Sequence, residues 1–183
     1  MSSSVPSKIP QIYVDYSKCT GCGICEATCA GRREGRFGRV VSRIRCIRAE
    51  PALDLPIVCL QCFDAPCINV CKSHAKYRNE KGIVVVDESK CTGCGDCVNT
   101  CSTRAIGAVW VNPLKKVAIK CDLCGGDPKC ISACPWQALS LKELDHEELR
   151  RVRERLKAVL FGMKHNLLNA RPGGFAETVT SHH

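Results

Sequence analysis

The sequence predicts a small α+β fold of short β-hairpins and short helices, with one amphipathic helix near its C-terminal end. Three observations carry that expectation. Sixteen of the 17 cysteines fall into four groups of four. The first, third and fourth groups are each preceded by a short alternating or hairpin-like apolar segment. Aromatic residues make up only 5% of 183, which is thin for a chain held together by apolar packing alone.

Residues 1–10 are expected to form a mobile Ser/Pro arm. Gln11–Asp15 (QIYVD) alternates like a strand and leads into the first quartet, Cys19, Cys22, Cys25 and Cys29, spaced C-x2-C-x2-C-x3-C. The stretch IYVDYSKCTGCGIC at 12–25 recurs as VVVDESKCTGCGDC at 84–97, an internal repeat at an offset of 72. Between the first two quartets, residues 31–50 carry seven arginines, at 32, 33, 36, 39, 43, 45 and 48. Arg39–Arg45 is predicted as a strand. The segment reads as a solvated basic face, or as a surface for an acidic partner or the screen of a nearby metal centre. Cys46 stands alone and is expected to be a buried structural thiol, because the other sixteen already form complete sets.

The second quartet, Cys59, Cys62, Cys67 and Cys71, has its middle gap widened to four residues. Residues 75–87 predict a hairpin turning at Glu80–Gly82, which delivers the third quartet, Cys91, Cys94, Cys97 and Cys101. A second hairpin over 105–120, turning around Asn112–Lys115, delivers Cys121, Cys124, Cys130 and Cys134, with a middle gap of five. Beyond Trp136, Asp145 and Glu148 suggest a capping box. Leu149, Val152, Leu156, Val159, Met163 and Leu167 then recur at helical spacing. The helix is placed at 142–170, packed on the protein's own core in preference to a partner subunit or a membrane surface, with 171–183 a loose tail.

Cysteines this dense along the chain would compete for partners as disulfides, and thiols kept reduced in groups of four point to metal. Structural zinc pairs two separated C-x2-C knuckles. Here every group adds a third and a fourth cysteine with three residues between them, the run by which thiolates hold an iron–sulfur cube. Four complete quartets predict four 4Fe–4S clusters. The formal charge of +9 would also suit nucleic acid, but four thiolate-held cubes add roughly −8 to −12. The basic excess is therefore assigned to compensating buried cluster charge, with no nucleic-acid partner. No P-loop and no GxGxxG after a strand is present. The N-terminal MSSSVPSKIPQ has no apolar signal core or twin arginine, and no apolar run reaches membrane-span length, so the expected compartment is the cytoplasm.

The order of regular and expanded quartets, with APC at 65–67 and CP at 134–135, resembles the four-cluster ferredoxin-like iron–sulfur subunits of the dimethyl-sulfoxide-reductase type. Similar subunits accompany tungsten aldehyde oxidoreductases, formate dehydrogenases, hydrogenases and carbon monoxide dehydrogenase. The resemblance covers 11–141 and implies two interlocked dicluster units: an outer one from 11–50 and 105–141, and an inner one from 51–104. Spacing alone leaves open which quartets pair, whereas the resemblance implies nesting. One cluster would take Cys19, Cys22, Cys25 and Cys134, and the next Cys59, Cys62, Cys67 and Cys101. A third would take Cys91, Cys94, Cys97 and Cys71, and a fourth Cys121, Cys124, Cys130 and Cys29.

The function these features imply is a one-electron relay, non-catalytic by itself, in a cytoplasmic complex. Its partners would be a catalytic subunit of tungsten or molybdenum aldehyde oxidoreductase type and a second redox subunit such as a flavoprotein, with end-to-end self-association into a longer wire as a variant. Competing readings are the matching subunit of a hydrogenase, formate dehydrogenase or carbon monoxide dehydrogenase complex, a freely diffusing polyferredoxin, and a zinc-stapled interaction module.

Overall fold

The computed structural model describes residues 6–49 and 53–169, with the backbone alone for 49, 53 and 163–169. The fold is a small mixture of strands and helices. Eight strands pair into four separate two-stranded antiparallel ribbons: β1 (Ile9–Val14) with β8 (Leu139–Leu144), β2 (Ile44–Ala49) with β3 (Leu53–Val58), β4 (Lys76–Arg78) with β5 (Val84–Val86), and β6 (Trp110–Val111) with β7 (Ala118–Ile119). Among the described residues five α-helices complete it: α1 (Ile24–Glu34), α2 (Pro66–Asn69), α3 (Asp96–Arg104), α4 (Lys129–Ser132) and α5 (His146–Asn169).

The two expected hairpins are present. In the first, the Asn79 side chain accepts from the Lys81 and Ile83 amides. In the second, Asn112 accepts from Leu114 and Lys115. Both asparagines brace their turns through their own side chains, the usual reason for Asn at such positions.

Three boundaries differ from expectation. Ile9 and Pro10 belong to β1 rather than to an arm, and Ile9 is fully buried. Pro10 is tolerated because a two-stranded ribbon has free edges. The strand expected at Arg39–Arg45 begins at Ile44, because Arg39–Val41 forms a single 3-10 turn. The helix expected from 142 begins at His146, because residues 142–144 continue β8, paired with Ile9–Gln11. The start of α5 is capped as the sequence suggested. Asp145 Oδ1 accepts from the Glu147 and Glu148 amides at 2.9 Å each, and Glu148 Oε2 accepts from the Asp145 amide at 2.9 Å. The expected tail at 171–183 and the terminal His182 and His183 lie outside the described residues.

The apolar core is small and threaded with sulfur. Ile12, Ile44, Leu55, Ile57, Ile83 and Leu123 pack with Cys29, Cys59, Cys121 and Cys130. Leu149 and Leu156 of α5 are buried in this cluster, so the first half of the helix lies on the protein's own core, whereas Val159 and Phe161 stay exposed. Among the described residues no helix is long and apolar enough to cross a membrane.

Candidate metal centres

Each cysteine group is built from one tight loop and the first turns of a helix. In the two regular quartets the loop turns on paired glycines, Gly21 and Gly23 in the first and Gly93 and Gly95 in the third, all at φ between 64° and 85°. Gly23 and Gly95 then stand directly before α1 and α3. The third and fourth cysteines of these quartets are thereby set four residues apart on one helix face, about 6 Å along its axis. In the expanded quartets the third cysteine lies in α2 or α4 and the fourth just past its end.

Four cavities are walled by cysteine. Cys19, Cys22, Cys25 and Cys134 line the first, together with Cys46 and Trp136. Cys59, Cys62, Cys67 and Cys101 line the second. Cys71, Cys91, Cys94 and Cys97 line the third. Cys29, Cys121, Cys124 and Cys130 line the fourth. Each cavity thus meets three cysteines of one quartet and the last cysteine of another. Cys46 is buried, as expected for a structural thiol, but its place in the first cavity's wall was not legible from spacing.

The cavities share their walls in a definite order. Helices α1 and α4 each carry or abut one cysteine of the first and one of the fourth cavity. Helices α2 and α3 do the same for the second and third. Between the second and fourth, Gln61 Nε2 donates to the Cys121 carbonyl at 2.8 Å, and Gln61 Oε1 accepts from the Val84 amide at 2.9 Å. The row therefore runs first, fourth, second, third. Cys22 and Cys94, the two exposed cysteines, sit at its opposite ends.

Four cysteines ring each cavity, the donor set by which thiolates hold an iron–sulfur cube. Among the described residues no group of three or more His, Cys, Asp or Glu closes around one metal ion. Backbone amides point at several sulfurs: Ala118 N–H to Cys91 at 3.2 Å, Arg43 N–H to Cys29 and Ala108 N–H to Cys101 at 3.3 Å each, and Gln61 N–H to Cys59 at 3.4 Å. Such donors favour the thiolate form. Burial acts against it, pushing the Cys25, Cys62 and Cys130 thiols up to about 12 and Cys121 well above the usual thiol range. Loading these sites must therefore expel protons, and the metal supplies the free energy for doing so.

Much of the arginine segment is solvated, as one reading expected: Arg32, Arg36, Arg39 and Arg48 are exposed. Arg43 is buried, within 3.5 Å of Glu34, 3.3 Å of Glu88 and 3.3 Å of Asp122, which lies between Cys121 and Cys124. Arg33 joins the same Asp122 at 2.6 Å, Arg39 reaches the Cys46 carbonyl at 2.5 Å, and Arg45 stacks over Trp110 at 4.3 Å. Glu88 and Asp122 lie 45 and 79 residues from Arg43 in sequence, which hid the pairing, whereas Glu34 lies within the segment itself. The Arg43→Met variant removes one of two cations from each of Glu34, Glu88 and Asp122, leaving Lys115 to the first two and Arg33 to the third. It is expected to lose about 1.5–3 kcal/mol of stability, read by denaturant unfolding of the anaerobic protein, and a loss below about 0.5 kcal/mol would contradict this account.

Fold and site together define a thiolate-rich protein that holds several metal clusters. Residues 52–144 match the model of the 4Fe-4S dicluster domain. The chain is 43% identical over 136 residues to the aliphatic sulfonate oxidoreductase, polyferredoxin-like subunit of Pyrococcus furiosus, covering 73% of this chain and 76% of that protein. It is 38% identical over 152 residues to the thiosulfate reductase electron transfer subunit PhsB of Salmonella typhi, covering 75% and 77%. It is 36% identical over 153 residues to the putative electron transport protein YsaA of Escherichia coli, covering 78% and 96%. The chain belongs to the 4Fe-4S dicluster domain family, and its cofactors are multiple 4Fe–4S clusters.

Proposed function

We propose that this chain is the electron-transfer subunit of an oxidoreductase complex, carrying single electrons along four clusters between a catalytic subunit and a second redox partner. The observation that carries the reading is the row of four cavities, each lined by four cysteines drawn from two quartets. We assign Cys19, Cys22, Cys25 and Cys134 to one cluster, and Cys59, Cys62, Cys67 and Cys101 to the next. Cys91, Cys94, Cys97 and Cys71 hold the third, and Cys121, Cys124, Cys130 and Cys29 the fourth, in two interlocked units. A 4Fe–4S cluster, when bound, takes up and returns one electron.

The chain's own residues do the rest. Four thiolates per cavity leave no corner open to substrate. The buried walls and the amide donors set how readily each site is reduced. The exposed Cys22 and Cys94 mark the two ends where electrons enter and leave. The relatives named as electron-transfer or polyferredoxin-like subunits of sulfonate and thiosulfate enzymes support a complex over a freely diffusing carrier. For the catalytic partner we favour a tungsten or molybdenum subunit of aldehyde oxidoreductase type, on the resemblance described above.

The test is anaerobic purification after co-expression with the genes adjoining its own. The expected result is a stable complex with a metal-cofactor subunit and about 16 iron atoms per copy of this chain, its brown colour bleached by dithionite. A colourless lone monomer would end the proposal.

A further inference from the structure

The internal repeat builds the two end sites of the row to one plan. In the first, Leu139 follows Cys134 by five residues and opens β8 opposite Val14. In the third, Lys76 follows Cys71 by five residues and opens β4 opposite Val86. Val14 and Val86 are themselves 72 residues apart, the offset of the repeat. The adjoining backbone bond is shared as well. The Asp15 amide donates to the Ala138 carbonyl at 2.8 Å, and the Asp87 amide to the Ala75 carbonyl at 2.7 Å. Lys76 and Leu139 are therefore counterparts, and each lines its own cavity. A leucine in a buried wall is ordinary. A lysine there is not.

Lys76 is 3% exposed, and its Nζ is buried with no hydrogen-bond partner and no ion pair among the described residues. The acid in the same wall, Asp96, is partly exposed and lies 3.8 Å from the exposed Lys72. An ammonium group buried without a counter-charge is strongly unfavourable. The charge that answers Lys76 must therefore come from what the cavity holds.

The other cavities differ. No charged side chain lines the first or the second. Arg32, Arg33, Arg43 and Lys129 line the fourth, but Arg32 is exposed, Asp122 meets Arg33 and Arg43, and Asp127 meets Lys129. Lys120, the other buried lysine, lines none of the four. Its Nζ donates to Gln61 Oε1 and to the Val84 and Cys121 carbonyls. Among the described residues a buried, unmatched cation stands in a cavity wall at the third site alone.

Resting on the cysteine assignment above, we propose that Lys76 is the buried counter-cation of the cluster held by Cys71, Cys91, Cys94 and Cys97, and makes it the most readily reduced of the four. Lys76 acts through its field and is not a ligand. Uncompensated positive charge favours the form of a site that carries one more electron. The third site gains a single electron from the second, which is oxidised in the same step, and no bond forms or breaks. The relay thereby acquires a direction, from the end marked by Cys22 towards the end marked by Cys94.

The test is an anaerobic redox titration of the full chain, followed by electron paramagnetic resonance. It compares the native protein with Lys76→Leu, Lys76→Gln, Lys76→Arg and Leu139→Lys. In Lys76→Leu, which copies the first site, iron stays full and the signal reduced first in the native protein moves down. The expected shift is at least tenfold in its reduction equilibrium, about 59 mV for one electron. Lys76→Arg keeps the native potential, and Leu139→Lys raises a different signal. An unmoved first signal in iron-replete Lys76→Leu overturns the proposal, as does an equal fall in Lys76→Arg. So does an iron-replete Leu139→Lys in which no other signal rises. Should Lys76→Leu fail to hold iron, Lys76→Gln is read by the same criterion, and loss of iron from both makes Lys76 structural and overturns the proposal. Absence of iron from the native protein would sink the cysteine assignment instead, before Lys76 is changed.

Discussion

The Cys134→Ala variant is expected to empty the cavity walled by Cys19, Cys22 and Cys25, and to leave the one walled by Cys121, Cys124 and Cys130 filled. Cys134 follows Cys130 by only four residues, so proximity along the chain predicts the opposite. The structure separates them because α4 ends at Ser132, and the chain past it turns to the wall shared with Pro135 and Trp136. Iron should fall by about four of some 16 atoms per chain. The resonance signal lost should be the one lost in Cys19→Ala, while Cys29→Ala should match Cys124→Ala. Cys46→Ala, in the same wall as Cys134, should retain all the iron, because four other cysteines already ring that cavity. If Cys134→Ala and Cys124→Ala remove the same signal, each quartet closes on itself and the nested assignment is wrong.

Gly93→Ala is expected to be nearly as damaging, although it removes no ligand. Gly93 sits at φ 70° between Cys91 and Cys94, and a methyl group there would overlap the carbonyl oxygen of Lys116. The backbone angle alone costs a non-glycine residue about 1–3 kcal/mol. The overlap adds to this, because Lys116 belongs to the β6–β7 turn and its carbonyl cannot swing aside as a side chain could. Gly21, its counterpart 72 residues earlier, supplies the control. A methyl group at Gly21 would meet the Asp54 carboxylate, a side chain free to rotate away. Gly93→Ala should therefore lose iron and melt well below native, while Gly21→Ala keeps its iron with a smaller drop. Full iron and an unchanged melting temperature in Gly93→Ala would refute this view of the loop.

What was legible beforehand was mostly local. The quartets, the asparagine-braced hairpins and the Asp145–Glu148 cap are short-range patterns, each complete within about a dozen residues, and the structure contains all of them. The features that escaped depend on partners far along the chain. Strand β8 shows only a brief alternation at Leu139 and Leu141, and Leu141 is in fact exposed. It is a strand because β1 lies beside it, from Ile9 opposite Leu144 to Val14 opposite Leu139. The burial of Arg43 likewise needed Asp122 and Glu88, tens of residues away. Lys76 and Lys120 lie in strand-like runs, AKYR and VAIK, where alternation marks them as outward-facing, yet both are buried.

The joining of β1 to β8 also sets a timetable for synthesis. The quartet at 59–71 and the one at 91–101 are complete once residue 101 is made, and the helices they carry, α2 and α3, pack together. Cys19, Cys22 and Cys25 have no such early companion. The ribbon that brings Cys134 to them cannot close until Leu144 has emerged, more than a hundred residues later, on the order of ten seconds at ribosomal speed. Until then those three thiols lack the fourth cysteine of their cavity, so their stretch of chain closes later than the quartets at 59–71 and 91–101.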